Sequence, residues 1–305
     1  MPLAPLPLML ATESLRGLSP ALIASHHRNN YSGAVKRLNA IRGALDALSF
    51  VDTPGFTLNG LKREELIATN SMLLHELYFA SLGGDGITMD PPMTLALDAN
   101  FGSVETWRAQ FAALGRALGG GSGWVLLTFN SREGTLVNQW AADHTQALAG
   151  GAPLLALDMY EHAYHIDYGA NAAAYVEAFM DNIDWAGVYQ RYQHAVHAAS
   201  DALGVERGAL PADALVLDVR RAGVYEKAVQ TIAGAQWRDP AAVAEWAGGL
   251  PAGREVVVYC VYGHEVGRAT AMRLRAQGVN AKFIVGGIDG WQAAGLPLAE
   301  KAAAD

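Results

Sequence analysis

Asp158-Met159-Tyr160-Glu161-His162-Ala163-Tyr164 sets a carboxylate and an imidazole four positions apart, at Asp158 and His162. A pair at that spacing reaches a single metal ion. Upstream, His26 and His75 are two further candidate donors. Three imidazoles and one carboxylate suit iron or manganese, whereas calcium and magnesium prefer all-oxygen shells.

The sequence around this segment predicts a mixed architecture. Leu154 to Leu157 reads as a short apolar strand leading into Asp158, and residues 172–199 carry helical periodicity. Upstream, Trp124 to Phe129 and Thr135 to Trp140 read as strands joined by a turn at Asn130 to Gly134. Further back lie helices over 12–48, 61–82 and 102–118, the last starting near Ser103 with Glu105 in its first turn. Residues 1–203 are thus expected as a helical hairpin followed by an α/β part. Beyond about residue 203 short apolar strands, 214–218, 255–260 and 281–285, alternate with helices at 240–248 and 266–277. That alternation implies a parallel sheet covered on both faces. The boundary is placed at 203–211, with the second domain over 211–305.

Composition narrows the function. The 305 residues carry 22 basic and 30 acidic side chains, a formal charge of −8. This argues against a nucleic-acid surface. No apolar run approaches the roughly 18 residues of a membrane span. The apolar start lacks a positive n-region and is interrupted by prolines, so it reads as an extended N-terminus and not a signal peptide. One cysteine allows no internal disulfide, which suggests a reducing cytoplasm.

Asp158-x-Tyr160-Glu161-His162-Ala163-Tyr164 resembles the fingerprint of the iron/manganese superoxide dismutase family, with Tyr160 in place of a tryptophan. Ser25-His26-His27 followed by Val35-x-x-Leu38-Asn39, and Asn70-x4-His75-x-x-Tyr78-Phe79, are similar to its two ligand helices. Phe101-Gly-Ser-Val and Gly121-Ser-Gly-Trp124 follow in family order, so the resemblance spans residues 5–200. It implies one iron or manganese ion held by His26, His75, Asp158 and His162, with superoxide as substrate. The donor set carries one negative charge, so coupling each electron to one proton keeps the site's charge constant. It implies also a homodimer, or a dimer of dimers, in which Glu161 supports the other subunit's ligand.

Around those ligands the chain departs from the family pattern. The hydrogen bond to bound solvent falls to His144, with Gln139 and Gln146 as alternatives. The family's glutamine on the second helix would fall at Ser71, its entrance tyrosine at Ala34 and that tyrosine's histidine partner at Asn30. Tyr31 is the residue expected to fill the mouth from one turn earlier.

Cys260-Val-Tyr-Gly263-His264-Glu265-Val lies between a predicted strand and helix. Amides at a helix N-terminus favour an anion and lower a thiol's pKa. Leu217-Asp218-Val219-Arg220, Tyr225, Ile232-Ala-Gly-Ala235 and Gly286-Gly-Ile-Asp-Gly-Trp291 surround this loop, and together they resemble a rhodanese domain over 211–299. The resemblance implies a persulfide on Cys260, with a sulfur donor and acceptor. Glu265 stands where that family carries an arginine, and is expected at the loop mouth, repelling anionic donors unless His264 offsets it. The leading expectation is a cytoplasmic superoxide dismutase with an appended rhodanese-like domain. The alternatives are a non-catalytic metal-binding dimer serving that domain, or a sulfurtransferase acting through Cys260.

Overall fold

The computed structural model describes residues 1–301; residues 302–305, the end of the expected second domain, lie outside the described residues. The chain opens with helix α1 (Pro20–Ser25), a π-helical turn (His26–Tyr31) and α2 (Ser32–Asp46). Ser19 caps α1 by accepting from the Leu22 amide at 3.1 Å, and Pro20 occupies the first turn, where its missing N–H costs nothing. α3 (Gly55–Ala80) returns antiparallel, and Leu38, Ile41 and Leu45 pack against Ala68 across this hairpin.

Two helices follow, α4 (Pro91–Phe101) and α5 (Val104–Ala117). The sequence reading missed α4, whose opening prolines look like a break but occupy the first helical turn. Ser103 caps α5 by accepting from the Thr106 amide at 3.0 Å.

An antiparallel sheet comes next: β1 (Trp124–Asn130), β2 (Thr135–Ala141) and β3 (Gly151–Asp158), with β1 central. β1 is buried from Trp124 to Phe129 because helices cover one face and further core side chains the other. Short α6 (His165–Tyr168) and α7 (Ala172–Asp181) follow, then α8 (Trp185–Ser200). The expected single helix over 172–199 is broken at 182–184. There the Asn182 side chain bonds the backbone of Arg16 in both directions, and Ile183 bridges Leu82. The long-range partners explain why periodicity alone missed the break.

The remaining strands are β4 (Gly204–Val205), β5 (Leu215–Asp218), β6 (Gln230–Ile232), β7 (Gln236–Trp237), β8 (Val256–Tyr259), β9 (Ala281–Ile284) and β10 (Leu298–Glu300). Between them lie α9 (Ala222–Glu226), α10 (Val243–Trp246), α11 (Glu265–Ala276) and α12 (Gly287–Ala293). A parallel five-stranded sheet runs β4-β9-β8-β5-β7, and β6 pairs antiparallel with β10 apart from it. β4 lies inside the segment read as a linker, so the second sheet begins immediately after the first unit.

The two units share a packed seam. α11 is buried along most of its circumference, since one side faces its own sheet and the other faces α8. Met272 of α11 joins the core of the first unit. A side chain at Gly134 would put its Cβ 2.6 Å from that of Met272, so the β1–β2 turn needs glycine for this approach as well as for its φ of +67°.

Candidate metal centre

Three stretches of chain bring four donors together. His26 opens the π-helical turn, His75 lies on α3, Asp158 ends β3, and His162 sits in the short turn Glu161–Ala163. A π-turn widens the helical spacing locally, and such turns recur at functional sites. One donor atom from each residue falls within 4.8 Å of all the others. Asp158 Oδ2 lies 3.1 Å from His26 Nε2, 3.2 Å from His162 Nε2 and 3.5 Å from His75 Nε2.

These atoms fit a cation. His75 and His162 turn Nε2 atoms toward each other at 3.4 Å. A single proton bridges only one pair of such atoms, whereas one metal ion is shared by all four. His75 Nδ1 donates to the Ser71 carbonyl at 2.6 Å, which leaves the Nε2 lone pair free. Asp158 uses its other oxygen to accept from the Tyr160 amide at 2.8 Å, and its carbonyl accepts from the Tyr175 hydroxyl at 2.8 Å.

Burial sets the protonation states. It pushes His26 below its ordinary pKa and His75 down to about 3, so both are neutral donors at neutral pH. For Asp158 burial works toward the neutral acid, but His162 and His26 outweigh it and hold the carboxyl well below its usual range. Tyr78 and Phe79 wall the His26 ring, and Trp124 meets His75 edge-on at 5.3 Å.

A cleft of about 290 Å³ opens onto His75 and His162, lined also by Asn30, Ala34, Arg37, Ser71, His144 and Tyr160. His144 is therefore brought to the donors. The Trp124 indole N–H donates to His144 Nδ1 at 3.0 Å, so the neutral ring carries its proton on Nε2. Burial lowers the pKa of His144, consistent with that neutral form. Tyr160 stacks between His144 and His162, at 4.9 and 5.5 Å between centroids. The alternatives are committed elsewhere: Gln139 bonds Thr128 and the Gln146 carbonyl, and Gln146 accepts from the Ala142 amide.

The expectation for Tyr31 is corrected. It is buried away from this cleft, where its hydroxyl accepts from the Leu6 amide and donates to Glu76, each at 2.8 Å. Asn30 and Ala34, not Tyr31, line the mouth, as expected for residues four and eight positions after His26 on one helix face. Two contributors escaped the sequence reading. Trp124 fixes the His144 tautomer and the Ser71 carbonyl orients His75. The four-residue spacing of Ser71 and His75 was visible, but any residue supplies a carbonyl. Glu161 is exposed beside the donor set.

The cysteine loop also differs from expectation. Loop amides do favour the Cys260 thiolate, but the side chain is only 6% exposed, and burial pushes the thiol up, with Glu265 adding to the rise. Burial thus opposes the activated thiol expected from the loop. Gly263 turns the loop at φ +68°, and a Cβ there would stand 2.6 Å from the Gly286 amide nitrogen. His264 is the exposed N-cap of α11. Glu265 is not at the loop mouth: it is 3% exposed and bonded to α8.

Comparison with known proteins follows the same division. Residues 89–191 match the C-terminal domain of iron/manganese superoxide dismutases, and residues 205–294 match a rhodanese-like domain. The iron superoxide dismutase of Cupriavidus metallidurans is 63% identical over 190 residues, covering 62% of this chain and 96% of that protein. That of Aquifex pyrophilus is 32% identical over 199 residues, 62% of this chain and 91% of that protein. The manganese superoxide dismutase 1 of Haloferax volcanii is 32% identical over 182 residues, 59% of this chain and 88% of that protein.

Proposed function

The chain belongs to the iron/manganese superoxide dismutase family, and from that premise we propose that His26, His75, Asp158 and His162 hold its one iron or manganese ion. It is an oxidoreductase that converts superoxide to dioxygen and hydrogen peroxide, with a rhodanese-like domain appended. The convergence of four buried or half-buried donors within 4.8 Å carries the assignment of the ligands.

When bound, the ion supplies a one-electron couple for superoxide. The remaining work falls to the chain. His26 and His75 enter neutral because burial disfavours their cations, and Asp158 contributes the single negative charge. The Tyr78, Phe79 and Trp124 rings exclude water behind the donors. Arg37 offers positive charge where an anion enters, reduced by its ion pair with Glu64. His144, with its proton on Nε2, is the donor proposed for an oxygen species in the cleft.

Glu161, exposed beside His162, supports a homodimer in which it reaches the neighbouring subunit. The lone cysteine supports a reducing, cytoplasmic location. Among the described residues no helix is long and apolar enough to cross a membrane. The buried Cys260 thiol disfavours sulfur transfer as the main activity. We place the first domain over 1–203 and the second from 204 onward, because β4 pairs with β9. Loading the full chain with iron or manganese and assaying superoxide removal per bound metal tests the reading.

A further inference from the structure

Glu265 is the first residue of α11, at the base of the loop that carries Cys260. A carboxylate buried at 3% exposure requires donors, and both of those it finds come from the other domain. The Tyr189 hydroxyl donates to Oε1 at 2.8 Å, and Gln193 Nε2 donates to Oε2 at 3.2 Å. Gln193 also reaches the Tyr189 oxygen at 3.0 Å, so the three side chains form one closed polar cluster in the seam. Tyr189 and Gln193 are one helical turn apart on α8 and present a matched pair of donors.

The rest of the seam ties the same loop. Arg268 donates from Nε to the Gly263 carbonyl at 2.9 Å, and from Nη1 to Asp201 at 2.6 Å and Ser200 at 3.2 Å. One arginine thereby joins the loop to the end of α8. The His197 ring of α8 lies 5.9 Å from that of His264. Inside the loop Cys260 Sγ would stand 3.3 Å from a Cβ at Gly267, so the thiol rests directly on the first turn of α11. The position of that turn sets the room around the sulfur, and Glu265, with Arg268, is a residue by which α8 grips it.

We propose that the first domain silences the thiol of the second: Tyr189 and Gln193 pin Glu265 at the base of the Cys260 loop and so hold the loop closed over the sulfur. Two consequences follow from one contact. The pinned carboxylate places negative charge beside the thiol, which disfavours the thiolate. The pinned helix turn keeps reagents from the sulfur. Loss of the Tyr189 hydroxyl leaves the buried carboxylate short of a donor, so the Glu265 side chain swings out toward water and releases the first turn of α11 that rests on Cys260. This reading is independent of the metal assignment.

The test is the rate at which iodoacetamide, a neutral reagent, alkylates Cys260 in the full-length chain at pH 7.5, with the urea-unfolded chain as reference. The wild-type folded protein is expected to react at least about tenfold more slowly than the unfolded one, because its sulfur is enclosed and the attacking thiolate disfavoured. Glu265→Gln, which removes the charge and keeps a polar partner, and Tyr189→Phe, which removes only the clasp, are each expected to raise the folded rate by about tenfold. Tyr189→Phe is expected to retain wild-type dismutase turnover, which reports an intact first domain. A wild-type rate equal to that of the unfolded chain overturns the proposal. So do wild-type rates in both variants. Acceleration by Glu265→Gln alone overturns it too, because charge would then act without control from α8. Should Glu265→Gln fail to fold, Tyr189→Phe and Gln193→Leu decide the matter by the same rates.

Discussion

The Trp124 indole N–H donates to Nδ1 of His144 at 3.0 Å, and this one bond fixes which imidazole nitrogen carries a proton at the metal cleft. His144→Ala is expected to keep full metal content and to lose about 10²-fold in turnover, the usual cost of one well-placed donor. Trp124→Phe removes the bond that sets the tautomer, so it should lower turnover in the same direction and shift the pH profile. An unchanged rate in His144→Ala would remove His144 from the reaction, and the committed amides of Gln139 and Gln146 could not replace it without rearranging.

The buried histidines make the metal-free protein sensitive to acid. His26 and His75 have folded pKa values below the unfolded value of 6.5, about 3 for His75. The unfolded chain therefore binds protons that the folded chain refuses. Stability is fully present above pH 6.5 and falls as pH drops toward the folded values, by up to about 1.4 kcal/mol per pH unit for each ring. Urea unfolding of the metal-free chain should show a clear fall in midpoint from pH 7 to pH 5. A constant midpoint would mean that these rings titrate as they do in the unfolded chain.

Tyr31 ties the N-terminal arm to α3 and leaves the cleft to others. Tyr31→Phe should cost about 1 kcal/mol of stability, the typical worth of such hydrogen bonding, and speed proteolysis of the first residues. Dismutase turnover should stay within twofold. A large fall in turnover at unchanged metal content would return Tyr31 to the entrance.

Glu161 tests the assembly. Glu161→Ala is expected to weaken self-association and reduce metal retention together. Wild-type protein that scatters as a monomer at micromolar concentration would contradict the dimer.

Much of the metal site was legible because its chemistry demands rare residue types at fixed spacings. Asp158 four residues before His162 suggests one ion from spacing, whereas His75, on an apolar face where a lone histidine is usually core, joins the set through the family resemblance. The elements with strong local signals, such as the capped α5 and the apolar β1, were equally visible. What escaped depends on distant partners. The break at Asn182 needs Arg16, the burial of Glu265 needs Tyr189 and Gln193, and the direction of Tyr31 is held by Leu6 and Glu76, all far away in the chain. A strand-loop-helix pattern likewise suggested an activated Cys260. Whether loop amides or burial prevails depends on how deeply the sulfur is enclosed, which is decided by packing.

The most direct test is superoxide removal per bound metal ion, measured on the full chain loaded with iron and, separately, with manganese, beside His75→Ala. The wild-type chain should bind one ion per subunit and remove superoxide catalytically with at least one of the two metals, while His75→Ala loses both the metal and the activity. Full metal content in His75→Ala would contradict the ligand assignment. Stoichiometric metal in the wild-type chain, with no more activity than the free ion, would contradict the dismutase function.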